Sequence, residues 1–127
     1  MRSKYWAEKN TVDGIKFDSK VESLYYLYLK EKGVKHTLQP KYILQDKFIN
    51  NQGESVRAIH YIADFAYDDI VVDIKGMPTQ AAKLKRKLFM KKYPNLKLQW
   101  LVRYKWEWVD YFENEKRKRK NKREKNL

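Results

Sequence analysis

Three residues in the segment YIADFAYDDIVVDIKG, residues 61–76, are of types that act together on phosphates: Asp64, Asp73 and Lys75. The rest of the segment is rich in Ile, Val and Phe, the composition of a half-buried strand. Asp68 and Asp69 sit between its two apolar runs and read as a two-residue turn. With that turn as the loop, Tyr67 pairs with Ile70 and paired positions sum to a constant, so Asp64 falls opposite Asp73. Directly opposed residues hold their Cβ atoms about 4.5–5.5 Å apart. Two carboxylates that close repel, and an apolar sheet worsens the repulsion. A divalent cation relieves it. Mg²⁺ favours one or two carboxylates completed by water and phosphate oxygens, and Mn²⁺ is expected to substitute. Lys75 lies two residues beyond Asp73, on the same face of a regular strand. A carboxylate pair, a hard cation and an ammonium group are the means of phosphodiester hydrolysis. Asp-x-Lys on a strand is also what a solvated face with a weak ion pair looks like. The opposed Asp64, on a strongly basic chain, favours a site.

The elements that must position these residues can be read from periodicity. TVDGIKF is a small hairpin about Asp13-Gly14. DSKVESLYYLYLKEKG is a helix with Ser19 as N-cap and Gly33 at its end; Val21, Leu24, Tyr25 and Tyr28 share one face. HTLQPKYILQDKF is a strand, followed by the loop INNQGES. RAIHYIADFAY and IVVDIKG are the two strands of the site. MPTQAAKLKRKLFMKKYPN is a second helix, with Thr79 as N-cap, an apolar stripe of Ala81, Leu84 and Leu88 expected to face the sheet, and Pro94 as its stop. From Leu96 to Trp108 every even position is apolar or aromatic, so a strand is expected there. The spacing of Trp108, Tyr111 and Phe112 suits a helix. The order is αβββαβ, an α/β fold with a mixed central sheet flanked by helices. Residues 1–112 are read as one domain and residues 113–127 as a basic tail, flexible or helical.

Composition narrows the partner. The chain has 127 residues, 43% hydrophobic and 15% aromatic, enough for one folded core. Its formal net charge is +13, from 29 Lys+Arg against 16 Asp+Glu. Such a surplus points to a polyanion, with nucleic acid ahead of an anionic membrane surface. There are no cysteines, which excludes disulfides and Cys-based zinc sites. No apolar run suits a signal peptide or a bilayer span, so a cytoplasmic protein with no membrane partner is expected.

The helix–strand–strand–strand–helix–strand order, with Asp64 on the second strand and the DIK of Asp73, Ile74 and Lys75 on the third, resembles the PD-(D/E)XK nuclease superfamily. The strings DGIKFDSKVE, LQPKY and YIADF also resemble small phage-encoded endonucleases of the Holliday-junction-resolving kind, which would act in the host cytoplasm. The resemblance covers roughly residues 11–104; Ala63 stands where the motif name has Pro. It implies a restriction-endonuclease-like core and a Mg²⁺-dependent endonuclease acting on branched DNA as a homodimer. It implies Asp64, Asp73 and Lys75 as catalytic residues, and the Ile74 carbonyl as a further metal ligand. It adds Glu22 of the first helix as a catalytic and metal-site acid, although Ser19-x-x-Glu22 is also a capping-box pattern.

On the second helix Lys83, Lys85, Arg86 and Lys87 are candidates for DNA phosphates, with Lys83 or Lys85 nearest the metal by the same resemblance. In the tail, Lys116, Arg117, Lys118, Arg119 and Lys120 are candidates for the same role. His60 falls on the Asp64 side of its strand, and neither it nor His36 has the partners zinc requires. Trp100, Trp106, Trp108, Tyr111 and Phe112 read as core or subunit contact before base stacking. A nuclease without junction preference and a non-catalytic DNA-binding protein are the alternatives.

Overall fold

A computed structural model describes residues 10–126. They fall into two compact units, one ending at His36 and the other running from Thr37. The first nine residues of the expected domain, and Leu127, lie outside the described residues.

The first unit is a hairpin and a helix. β1 (Thr11–Val12) and β2 (Ile15–Lys16) pair antiparallel with Val12 opposite Ile15. Asp13 and Gly14 between them both have positive φ, 53° and 76°, as a type I′ turn requires. α1 spans Lys20–Glu31, and Ser19 Oγ accepts the Glu22 N–H at 3.1 Å. Gly33 ends the helix at φ 71°. Its N–H reaches the Lys30 carbonyl and the Val34 N–H reaches that of Leu29, which is a Schellman motif. The buried positions of α1 are Ser23, Tyr25 and Leu29, while Tyr28 is exposed. Asp13 ties hairpin to helix by accepting from Tyr26 and Lys30, and these two donors hold its carboxyl below the usual carboxylate range.

The second unit is a mixed sheet with two helices. Its strands are β3 (Thr37–Leu38), β4 (Lys41–Gln45), β5 (Phe48–Ile49), β6 (Ser55–Val56), β7 (Ile59–Ile62), β8 (Phe65–Tyr67), β9 (Ile70–Ile74), β10 (Lys97–Tyr104) and β11 (Glu107–Asp110), with α2 (Gln80–Lys92) and α3 (Tyr111–Lys125). A five-stranded sheet runs in the order β11-β10-β9-β8-β3, parallel only between β9 and β10. β4 pairs with β7 as a separate ribbon, and β5 with β6. The strand expected over HTLQPKYILQDKF is thus broken into β3 and β4, with Phe48 passing to β5, and that over RAIHYIADFAY into β7 and β8. The breaks coincide: Gln39 has φ 48°, its N–H reaches the Asp64 carbonyl, and the Ala63 N–H reaches that of Pro40. One ladder bends there, with Pro40 supplying no donor of its own. The loop INNQGES carries the small β5–β6 hairpin, a further departure from the expected order.

Two more expectations are corrected. The strand expected through to Trp108 turns back at Lys105 and Trp106, whose φ values are 46° and 68°. The register Arg103↔Trp108 follows, so Trp108 shares a face with Arg103 and not with Trp100. A two-residue turn reverses the face while leaving the even-numbered alternation intact. On α2, the stripe of Ala81, Leu84 and Leu88 does not face the sheet: Leu84 is 60% exposed and Leu88 40%. The buried residue is Phe89, 0% exposed, packed with Tyr61, Ala63 and Val71. The rings of Tyr42, Tyr61 and Tyr93 lie 5.0–5.3 Å from it. Ala82, Arg86, Phe89 and Tyr93 form the inward row, at helical spacing. Thr79 caps the helix as expected, accepting from the Ala82 N–H.

Candidate active site at the bend of the sheet

Asp73 is placed by the centre of the sheet. It lies on β9, beside Trp100 of the parallel neighbour β10, and is 6% exposed. A buried carboxylate needs partners, and Asp73 Oδ2 has one hydrogen-bond donor and one ion-pair partner. The Tyr61 hydroxyl donates to it, and Lys75 Nζ stands 3.4 Å away. Lys75 follows where β9 ends, its own N–H held by the Leu101 carbonyl at 2.8 Å. Its ammonium also sits 4.6 Å from the centre of the Trp100 ring, a favourable place for a cation.

Asp64 lies at the bend. The register Phe65↔Val72, Ala66↔Val71, Tyr67↔Ile70 is the expected one, and continued it would set Asp64 against Asp73. The ladder stops one step short. The Asp64 N–H donates to the Val72 carbonyl, and its Oδ2 accepts the Ile74 N–H at 2.8 Å. Asp64 therefore binds the backbone of the Asp73-Ile74-Lys75 run and fixes the end of β9. Both carboxylates lie close enough to Tyr61 to add to burial in pushing its phenol far above the usual tyrosine range, so Tyr61 remains a donor. Each aspartate also has a hydrogen-bond donor from the protein itself, Tyr61 for Asp73 and the Ile74 N–H for Asp64.

Asp73 and Lys75 open onto a groove of about 750 Å³ between β7, β9 and α2. Lys41 and Lys85 also line it, so Lys85 is the α2 cation that shares a cavity with the site. Ile59 and Ile62 of β7 and Leu84 and Leu88 of α2 add apolar lining; Ile62 is 58% exposed. His60 lines the same groove. A second cavity of about 340 Å³ lies beside α2, lined by Lys83, Arg86 and Lys87 with Trp100 and Phe112. Arg86 is half-buried there. Its guanidinium lies 4.3 Å from the Phe112 ring centre and 5.6 Å from that of Trp100, so it joins α2 to α3 as well as offering charge.

α3 carries the remaining cations. Asp110 caps it by accepting from the Phe112 and Glu113 N–H groups. Phe112 stacks on Trp100, with centroids 5.7 Å apart and planes 15° apart. Residues 113–125 continue the helix begun at Tyr111, and Asn126 is its C-cap. Lys116 and Lys118 pair with Glu113 and Glu115 one turn earlier. Arg117 lies 4.4 Å over the Tyr104 ring and, with Lys105, holds that phenol below its usual range. Arg119 and Lys120 are exposed. Glu22 belongs to the first unit, on the first turn of α1, where its backbone N–H completes the Ser19 cap.

Tyr61 is the residue that sequence reasoning missed. An aromatic in a strand reads as core, which Tyr61 also is, and nothing in its spacing marks its hydroxyl as the partner of Asp73. Trp100 was legible as core but not as a donor.

The oxygen donors of Asp64, Asp73 and the Ile74 carbonyl are of the hard kind that suits Mg²⁺. Among the described residues, no three His, Cys, Asp or Glu side chains form a metal-holding group, and a zinc site is not seen among them. No helix among the described residues is long and apolar enough to cross a membrane. The class is a mixed α/β protein in which a buried aspartate, paired with a half-buried lysine, opens on a basic groove. Residues 2–107 match the family described as a protein of unknown function, DUF1064, and the chain belongs to that family. No curated protein and no solved structure matches it.

Proposed function

We propose that this protein is a metal-dependent DNA endonuclease with a restriction-endonuclease-like core, selective for branched DNA such as Holliday junctions. The observation that carries the proposal is the ion pair of Asp73 and Lys75, 3.4 Å apart in the lining of a groove that Lys41 and Lys85 also line. The bend that brings Asp64 to the backbone of Ile74 supports it, as does the resemblance of Asp64 and the DIK run to PD-(D/E)XK nucleases. Asp64, Asp73 and the Ile74 carbonyl would hold Mg²⁺ or Mn²⁺; Glu22 enters through the resemblance alone. When bound, the ion supplies Lewis-acid activation of water and offsets charge on the phosphate.

The chain's own residues do the rest. Lys75 stabilises the negative charge that develops on the phosphate, or holds the attacking water. Lys41 and Lys85 bind neighbouring phosphates without reading sequence. The apolar residues of the groove lining suit a sugar or base turned out of a stack, which a branch point offers more readily than an intact duplex. A junction needs paired cuts on two strands, so the proposal includes a homodimer.

One observation favours a second reading, a non-catalytic DNA-binding protein: each aspartate already has a hydrogen-bond donor from the protein. Incubation of a four-way junction and a matched linear duplex, each with Mg²⁺ and with chelator, separates the two. The nuclease gives symmetric junction products with Mg²⁺ alone. Binding without cleavage in every condition overturns it, and equal cleavage of duplex removes the junction preference.

The end of α3 is expected to supply affinity and not selectivity, because it has charge and no apolar face. Removing residues 118–127 spares Phe112 and the packing of Arg117 on Tyr104. Each phosphate that the shortened helix no longer neutralises flattens the slope of log affinity against log salt by about 0.9 on duplex DNA. Junction and duplex should weaken by similar factors in a salt titration, with cleavage positions unchanged. Loss of junction preference in the shortened protein would place recognition in α3.

A further inference from the structure

We infer that Trp100 and Tyr61 form one positioning device that holds both reactive groups of the site; the inference rests on the nuclease reading above. Trp100 uses two different parts of its ring system. Its indole N–H donates to the Tyr61 hydroxyl at 2.8 Å, and that hydroxyl donates to Asp73 Oδ2. Its ring face carries the Lys75 ammonium at 4.6 Å. The aspartate is thus held through Tyr61 and the lysine directly, by one side chain that is itself 1% exposed. Stacking on Phe112 and edge contact with Tyr111 fix Trp100 in turn.

The geometry divides the carboxylate. Tyr61 and Lys75 both meet Oδ2. Oδ1 has no hydrogen-bond partner among the described residues, which leaves it as the oxygen to present to a ligand in the groove. A hydroxyl that fixes one oxygen fixes the direction of the other. A phenol O–H facing a carboxylate oxygen can only donate, so the hydrogen bond from Tyr61 to Asp73 has one polarity. A core needing only to satisfy a buried Tyr and Trp could end the chain at any backbone carbonyl. Here it ends on the carboxylate of the Asp-x-Lys run. Tyr61 and Trp100 are positioning residues, acting through Asp73 and Lys75.

Tyr61→Phe removes one oxygen and keeps the ring that packs on Phe89. Outer partners of this kind are typically worth about 10–100-fold in metal affinity or activity. Tyr61→Phe is expected to lower kcat on a junction by about tenfold or more and to change KM by less than about twofold. Mn²⁺ binding to the DNA-free protein, followed by electron paramagnetic resonance, should weaken by a similar factor. Trp100→Phe keeps a ring for Lys75 but loses the N–H, and should show part of the same kcat loss. The double variant should be no slower than the slower single one, since both act through one chain of hydrogen bonds.

Unchanged kcat and unchanged Mn²⁺ affinity in Tyr61→Phe overturn the inference and leave the nuclease reading standing. Full additivity of the two substitutions also overturns it. A wild type that binds Mn²⁺ without cutting DNA, with affinity lost in Tyr61→Phe, overturns the nuclease reading and keeps the positioning role. A wild type that neither cuts nor binds Mn²⁺ overturns both.

Discussion

Asp73→Asn is expected to cut turnover on a junction by about a thousandfold or more while leaving junction affinity within about twofold. Asparagine has the same shape and keeps an oxygen that accepts the Tyr61 hydrogen bond. The fold around β9 should therefore survive, and a melting curve checks that it does. What is lost is the negative charge. Without it the groove loses the carboxylate in its lining that would hold a divalent cation, and Lys75 loses its partner 3.4 Å away. Binding should hardly change, because affinity comes from a surplus of Lys and Arg that gives the chain a formal charge of +13. Removing an acid from the groove, if it does anything to affinity, tightens it. Single-turnover cleavage and a filter-binding titration on the same junction are the measurements. Wild-type cleavage by Asp73→Asn would sink the site assignment outright. Lys75→Ala makes the companion test. One cation among 29 Lys and Arg matters little to the overall field, so turnover should fall by about a hundredfold with affinity nearly constant. Equal loss of both would make Lys75 a phosphate clamp.

How much of this site could be read from the sequence depended on which physical rule governed each residue. Turn chemistry is local, and it was legible. Asp13-Gly14 and Asp68-Asp69 were identified as turns, and the second fixed the register of β8 and β9 correctly. Caps are local too, and Ser19 and Thr79 fill the positions expected of them. The bend at Gln39 and Ala63 is not local. It joins residues 23 and 25 positions apart, and it decides that Asp64 grips the Ile74 N–H and does not simply face Asp73. Pattern counting failed where polar residues took apolar places. Arg86 lies in the inward row of α2 because two aromatic rings receive its guanidinium. An apolar stripe sought at helical spacing passes over a row with an arginine in it and settles on Ala81, Leu84 and Leu88. The Tyr61–Asp73 bond was illegible for the opposite reason. Tyr61 obeyed the core pattern fully, and its second role leaves no trace in spacing.

That reversal of α2 gives the sharpest stability test. Phe89→Ala is expected to cost about 3–5 kcal/mol, the range for emptying a fully buried aromatic site. Phe89 is 0% exposed, and three tyrosine rings stand around it at 5.0–5.3 Å. Those rings come from β4, β7 and the end of α2, so collapse into the cavity would have to move two strands and a helix together. Interiors pack too closely for that to happen without further cost. The neighbouring Leu88→Ala should behave quite differently. Leu88 is 40% exposed, so truncation forfeits little burial, and alanine is the better helix former. Its cost should stay below about 1 kcal/mol. Urea unfolding of both variants, with the slope compared as well as the midpoint, is the measurement. The stripe inferred from sequence predicts the reverse order, with Leu88 and Leu84 costly and Phe89 tolerant. A large loss at Leu88 with little at Phe89 would therefore rotate α2 by a third of a turn or more and take Lys85 out of the groove. If the order is as expected, Leu88→Ala is free to report on function. It lines the groove beside Asp73, and a nearly native stability would let a slower junction cut be assigned to the lost apolar lining.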